Sequence, residues 1–211
     1  QLEASSDYRA RRREIAGFNA KSPVLKKGIS LTPVKFGISF TLTHLNQAGA
    51  LVHVYTDGSV QLNHGGTEMG QGLYTKVAQV VAEEFAIDAA RVRITATTTG
   101  KVPNTSATAA SSGADMNGMA AKQAAAAIKA RLVDFAAKRW KVPKSRIRFD
   151  NGNVFIGNKS VTFGELAKQA NLARVPLSST GFYATPKVQW DRAKGKGRPF
   201  FYFAYGAACS E

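Results

Sequence analysis

The sequence predicts an α+β fold, with helices packed on one face of a mixed or largely antiparallel sheet. Three observations predict it. The turn dipeptides Asp57-Gly58 and Asn151-Gly152 each separate two runs of strand character. Two stretches that follow glycine-rich or small-residue loops repeat apolar residues at helical spacing. At 44% hydrophobic and 20% charged, a chain of 211 residues also has the apolar material for a packed core.

The elements follow in order. Residues 7–20 have helical composition, with Ile15 and Phe18 apolar, and end before Ser22-Pro23, where the residue ahead of proline favours extended backbone. Gly28 to Thr43 alternates weakly through Ile29, Leu31, Val34, Phe36, Ile38 and Phe40, which predicts a strand interrupted near Pro33. Ala50–Thr56 and Ser59–His64 flank Asp57-Gly58 as a hairpin. The loop Gly65-Gly66-Thr67-Glu68-Met69-Gly70-Gln71-Gly72 then opens into a helix whose face carries Leu73, Val77, Val80, Val81 and Phe85. Arg91–Thr98 reads as a half-buried strand. Small residues from Asn104 to Gly113 lead into a long helix to Trp140, with Met116, Ala120, Ala124, Ile128, Leu132 and Phe135 as its buried stripe. A second hairpin surrounds Asn151-Gly152, and Thr162 with Glu165 has the spacing of a capping box. Ser178–Ala184 and Phe200–Ala208 read as strands separated by a polar loop. The expected organisation is a helical lead-in over residues 1–27 and one domain over 28–211.

The net charge of +15 is unevenly spread: residues 36–100 carry 3 basic and 5 acidic side chains, and the excess sits at the two ends. There the basic residues are scattered, as in Arg9 to Arg13 and Lys194 to Arg198, without the aromatic interleaving of a nucleic-acid surface. No nucleic-acid partner is expected. No run reaches the roughly 18 apolar residues of a membrane span. Cys209 is the one cysteine, which leaves no internal disulfide and points to a reducing, cytoplasmic setting. The start at Gln1 and the stop just after an apolar aromatic run predict a section of a longer chain.

Two loops could carry chemistry. The free N–H groups and positive dipole end of a helix bind anions, and small residues let a phosphate approach the backbone. One such end follows Gly70-Gln71-Gly72 and the other follows Ala109 to Gly113, although glycine at a strand-to-helix turn also has a purely structural use. Neither loop has a dinucleotide or P-loop pattern. His44, His53 and His64 are too dispersed for a zinc cluster, and Glu68 has no visible acid–base partner.

The words of the sequence are more specific. Lys35 to Thr41, Leu45 to Leu51, Val54 to Val60, Gly65 to Gly72, Val102 to Ser111 and Thr180 to Tyr183 resemble, in that order, the molybdopterin-binding large subunits of xanthine dehydrogenases, within the xanthine dehydrogenase and aldehyde oxidase superfamily. The resemblance covers nearly the whole chain as an internal fragment. It implies part of a molybdenum cofactor-binding domain, in an enzyme that hydroxylates hypoxanthine and xanthine to urate with help from a glutamate base. Iron–sulfur clusters and FAD in other domains or subunits would carry the electrons away, in an oligomeric complete enzyme.

By the same resemblance, Met69, Gly70 and Gln71 contact the pterin, and Ala110, Ser111, Ser112 and Gly113 line the cofactor. Ala110 lies near the metal without ligating it. Phe40 packs against the purine and Thr41 hydrogen-bonds it, whereas the residues alone would put Phe40 in the core. Relatives carry Ser where this chain has Gly113, so a hydroxyl contact to the phosphate would come from Ser111 or Ser112. The family's catalytic Glu and substrate-orienting Arg match nothing here. No catalytic residue is therefore expected within the chain, and the segment alone is expected to be inactive. An aldehyde oxidase-type hydroxylase, or a non-catalytic assembly segment of the same subunit, are the alternatives.

Overall fold

The computed structural model describes residues 1–101 and 105–211. Its elements run α1 (Leu2–Ser5), α2 (Tyr8–Lys21), β1 (Ser30–Ile38), β2 (Gln47–Val54), β3 (Val60–His64), α3 (Leu73–Phe85), β4 (Val92–Ile94), α4 (Gly113–Trp140), β5 (Ile147–Asp150), β6 (Asn153–Ile156), β7 (Lys159–Thr162), α5 (Phe163–Leu172), β8 (Ser178–Ala184), β9 (Gln189–Asp191), β10 (Lys196–Arg198) and β11 (Tyr202–Ser210). They form two compact units, one of Gln1–Ile38 with Phe200–Glu211 and one of Ser39–Pro199.

In the first unit β1 and β11 form an antiparallel ribbon, from Ser30 opposite Ser210 to Ile38 opposite Tyr202. Pro33 stands opposite Ala207 in mid-strand, so the interruption expected there does not occur. A strand with one neighbour leaves every second N–H outside the ladder, and a proline there costs no hydrogen bond.

The second unit holds a mixed sheet of order β4-β3-β2-β8, in which β2 is antiparallel to β3 and β8, and β3 is parallel to β4. The β2–β3 turn is closed by Gly58 N–H donating to the Tyr55 carbonyl at 3.0 Å, with Gly58 at a φ of +82° that a side chain disfavours. Ala48, Ala50, Val52 and Val54 alternate along β2 and are all buried. They share one core with Val77, Val81 and Phe85 of α3 and the small residues of α4. That stripe runs Met116, Ala120, Ala124, Ile128, Leu132 and Ala136, while Phe135 and Val80, expected inside, are half-buried. Helix α4 lies directly on β8: a Cβ at Gly181 would sit 2.0 Å from the Ala120 carbonyl oxygen.

A three-stranded antiparallel sheet, β5-β6-β7, extends the same core through Val154 and Ile156. Asn151 and Gly152 both have positive φ, as a two-residue hairpin turn requires. Thr162 and Glu165 form the reciprocal capping box of α5.

Other local features differ from the sequence reading. The strand expected over Arg91–Thr98 is only Val92–Ile94; beyond it the Thr97 hydroxyl donates to the Gly66 carbonyl at 2.8 Å, a side-chain tie to the glycine loop in place of strand pairing. Strand β7 and the β9–β10 hairpin had no signal, being short and polar with no apolar alternation to reveal them. No helix among the described residues is long and apolar enough to cross a membrane.

Candidate cofactor site

The site forms where β3 runs out into the glycine loop. A Cβ at Gly65 would fall 1.5 Å from the Thr105 hydroxyl oxygen, and one at Gly66 would fall 2.6 Å from Leu73 and 2.8 Å from the Asn117 amide. These two glycines let β3 pass close to both the second loop and α4. The Thr67 N–H donates to the Thr108 hydroxyl at 2.9 Å, which ties the two loops directly, and Asn117 Nδ2 donates to the Gly113 carbonyl at 2.8 Å. His64, at the end of β3, is buried; its Nδ1 accepts from the Gly66 N–H at 3.1 Å and its Nε2 has no partner among the described residues. Burial pushes its pKa down to about 4, against the opposing pull of the Glu68 charge, so the ring is neutral at pH 7.

Between the loops lies a cleft of about 470 Å³. Met69, Gln71, Leu73 and Lys76 line one side, and Thr108 to Ser111, Gly113 and Ala114 line the other. The structure thus brings Met69, Gln71, Ala110, Ser111 and Gly113 to one cleft. Gly70 adjoins it within the loop, at a φ of +95°. Ser112 is turned inward, buried, with its hydroxyl donating to the Ala109 carbonyl at 3.0 Å. Of the two serines, Ser111 is therefore the one that borders the cleft. A Cβ at Gly113 would meet Leu73 at an ordinary 3.5 Å, so the glycine is not demanded by space.

The two helix ends are not alike. At α3 the Glu68 carboxylate already accepts from the Gly70, Gly72 and Tyr74 N–H groups at 2.9–3.0 Å. Those donors, Tyr74 first, hold its pKa below the ordinary carboxylate range. At α4 the Ser112 N-cap makes no side-chain bond to the first turn, and Ala110 and Ser111 both take left-handed backbone to bring the helix in. Of the two helix ends expected to bind anions, α3 is thus occupied by Glu68, while the α4 N-cap makes no side-chain bond and its first turn carries Asp115. Val102, Pro103 and Asn104 of the second loop's approach lie outside the described residues.

Phe40 and Thr41 do not line this cleft. Phe40 is half-buried against the core and Thr41 is exposed. The buried Asn46 clamps Phe40, accepting from its N–H at 2.7 Å and donating to its carbonyl at 2.9 Å. Asn46, Glu68, Thr108 and Asn117 were not legible as site-building residues: the partner of Thr108 lies 41 residues away, and the nearer backbone partners of the other three depend on irregular loop geometry or on an ordinary i−4 helix bond that marks no site.

Among the described residues no three His, Cys, Asp or Glu side chains stand where they could share a metal. What the cleft offers is the α4 N-terminus, the Lys76 ammonium, the Thr108 and Ser111 hydroxyls, the Gln71 amide and small or apolar side chains. That donor set suits an organic group bearing a phosphate and ring nitrogens.

An α+β scaffold with a cleft between a glycine loop and a helix N-terminus is compatible with a cofactor-binding domain, and the chain belongs to the molybdopterin cofactor-binding domain family, whose model matches residues 1–211. It is 47% identical over 208 residues to the xanthine dehydrogenase/oxidase of Mus musculus, and 44% identical over 211 residues to the xanthine dehydrogenase of Oryza sativa subsp. japonica. These matches cover 99% and 100% of the chain but 14% of either relative's length. Among solved structures, a Cu,Mo-CO dehydrogenase superposes with a TM-score of 0.78 and quinoline 2-oxidoreductase from Pseudomonas putida 86 with 0.76. Each is 20% identical, over 99% of this chain and 27% of the other, and shares the fold.

Proposed function

We propose that this chain is the molybdopterin-binding segment of a xanthine dehydrogenase-type hydroxylase, whose complete subunit converts hypoxanthine and xanthine to urate. The observation that carries the reading is the likeness to xanthine dehydrogenases along the whole chain, at 44–47% identity. Residues 28–211 would be the cofactor-binding part and 1–27 a lead-in from preceding sequence. FAD and iron–sulfur clusters, a reducing cytoplasmic setting and an oligomeric complete enzyme belong to the same reading.

When bound, the cofactor supplies the redox metal for hydroxylation. This chain's residues hold and orient it. The N-terminal N–H groups of α4, with the Ser111 hydroxyl beside them, take the phosphate. Met69, Gly70 and Gln71 border the pterin, and the Gln71 amide can donate and accept there. Ala110 leaves room beside the metal because its side chain is a single methyl. Phe40 and Thr41 serve the purine ring, on a loop whose backbone Asn46 fixes. The glutamate base and the substrate-orienting arginine come from sequence beyond this segment, so the segment alone does no chemistry.

The test is the molybdenum and pterin content of the complete subunit carrying Gln71→Ala with Gly113→Asp. The second change puts a carboxylate at the α4 end, where it competes with the phosphate. Both contents should fall severalfold while the protein stays folded; full retention of cofactor refutes the two-loop site. Turnover of xanthine in preference to aldehydes separates this reading from an aldehyde oxidase.

A further inference from the structure

We propose that Glu68 is the positioning residue of the cofactor loop, holding Met69 to Gln71 against the cleft through the backbone without touching the cofactor. The proposal rests on the cofactor reading of that cleft. Its Oε1 accepts from the Gly70 N–H at 2.9 Å and the Gly72 N–H at 3.0 Å, and its Oε2 accepts from the Tyr74 N–H at 2.9 Å. The loop therefore wraps around a single carboxylate.

The neighbouring glycines fit that role. Gly70 and Gly72 have φ of +95° and +74°, yet a Cβ at either would meet nothing within 4 Å. Space does not require glycine at these positions. Conformation does, and that conformation turns both N–H groups onto Glu68. The carboxylate also fills the α3 N-terminus with the chain's own negative charge, which leaves the α4 end for an external phosphate.

Gln71 shows why a separate anchor is needed. Its Oε1 now accepts from the Met69 N–H at 2.6 Å and its Nε2 donates to the Thr67 carbonyl at 2.9 Å. To reach a cofactor, the Gln71 side chain gives up both bonds. The three bonds to Glu68 do not involve that side chain and persist through the change, as does the Lys76 ammonium bonded to the Gln71 carbonyl at 3.0 Å.

The experiment compares the complete subunit as wild type, Glu68→Ala, Glu68→Gln and Gln71→Ala. It reads amide hydrogen exchange over residues 69–74 and the rate at which molybdenum and pterin are lost in mild denaturant. Glu68→Ala should speed both by about tenfold or more, since charge-assisted bonds are lost. Glu68→Gln, which keeps one acceptor oxygen, should recover part of each. That variant carries the test if the alanine protein does not accumulate. Faster cofactor loss in Gln71→Ala but not in Glu68→Ala overturns the positioning role alone. Wild-type loss rates in both variants overturn the cofactor reading of the cleft and the positioning role with it. Accelerated exchange spread along all of α3, without recovery by glutamine, assigns Glu68 to general helix stability and also overturns the proposal.

Discussion

His64 makes the fold acid-sensitive in a way that can be measured. Its imidazole is buried beside Gly66 and edge-on to Tyr74, with ring centroids 5.3 Å apart, and burial lowers its pKa from 6.5 to about 4. A group with a lowered folded pKa binds its proton more readily in the unfolded chain. Below pH 6.5 unfolding therefore takes up a proton that the native state refuses, and stability falls until the native ring also titrates near pH 4. The full gap from 6.5 to about 4 corresponds to about 3 kcal/mol, of which about 2 kcal/mol is lost between pH 7.5 and pH 5. The perturbation is His64→Leu, which removes the titration and also the acceptor for the Gly66 N–H, so the variant is less stable at pH 7.5. Urea denaturation of both proteins at the two pH values isolates the effect, because the other ionisable groups are common to both. The wild type should lose about 2 kcal/mol more than the variant on acidification. Equal losses would refute the assignment of this acid sensitivity to a buried neutral imidazole.

Two further outcomes test the scaffold. Gly181→Ala forces a Cβ to within 2.0 Å of the Ala120 carbonyl oxygen and 2.7 Å of the Ala124 nitrogen, both backbone, so α4 must back off β8 at a cost of about 1–3 kcal/mol. Gly118→Ala is the control: its Cβ would lie 3.7 Å from Val80, and mid-helix alanine should be neutral or stabilising in a thermal melt. Similar melting shifts in the two variants would count against the close packing of α4 on β8. Thr162→Ala removes the hydroxyl that accepts from the Glu165 N–H at 3.1 Å and should lower stability by about 1 kcal/mol in urea unfolding. An unchanged midpoint there would mean the cap adds nothing beyond solvent.

The elements legible in the sequence were those with a local physical signature. Asn151-Gly152 can supply two positive φ values in succession, and the hairpin stands where that dipeptide stands. Thr162 and Glu165 can satisfy each other's backbone from three residues apart, and α5 begins there. Leu73, Val77, Val81 and Phe85 share a helical face at any tertiary arrangement, and they are buried. Strand β7 and the β9–β10 hairpin lacked such a signature. Pro33 misled because its effect depends on how many neighbours β1 has, which no local pattern states.

The same division runs through the site. By itself the sequence determined the family, through the resemblance of its motifs, and the two loops with their small residues, because a glycine loop opening into a helix is a local matter of backbone freedom and dipole. Only the tertiary structure decided that the loops meet, through Thr67 and Thr108, which stand 41 residues apart in the chain. It also decided that the two helix ends differ. Whether an N-terminus is open to a phosphate depends on whether a carboxylate of the same chain reaches it first, and at α3 Glu68 does. The Thr67–Thr108 bond is made by proximity in space alone, and the Glu68 bonds, though close along the chain, form only because Gly70 and Gly72 take left-handed backbone, so neither set follows from residue spacing.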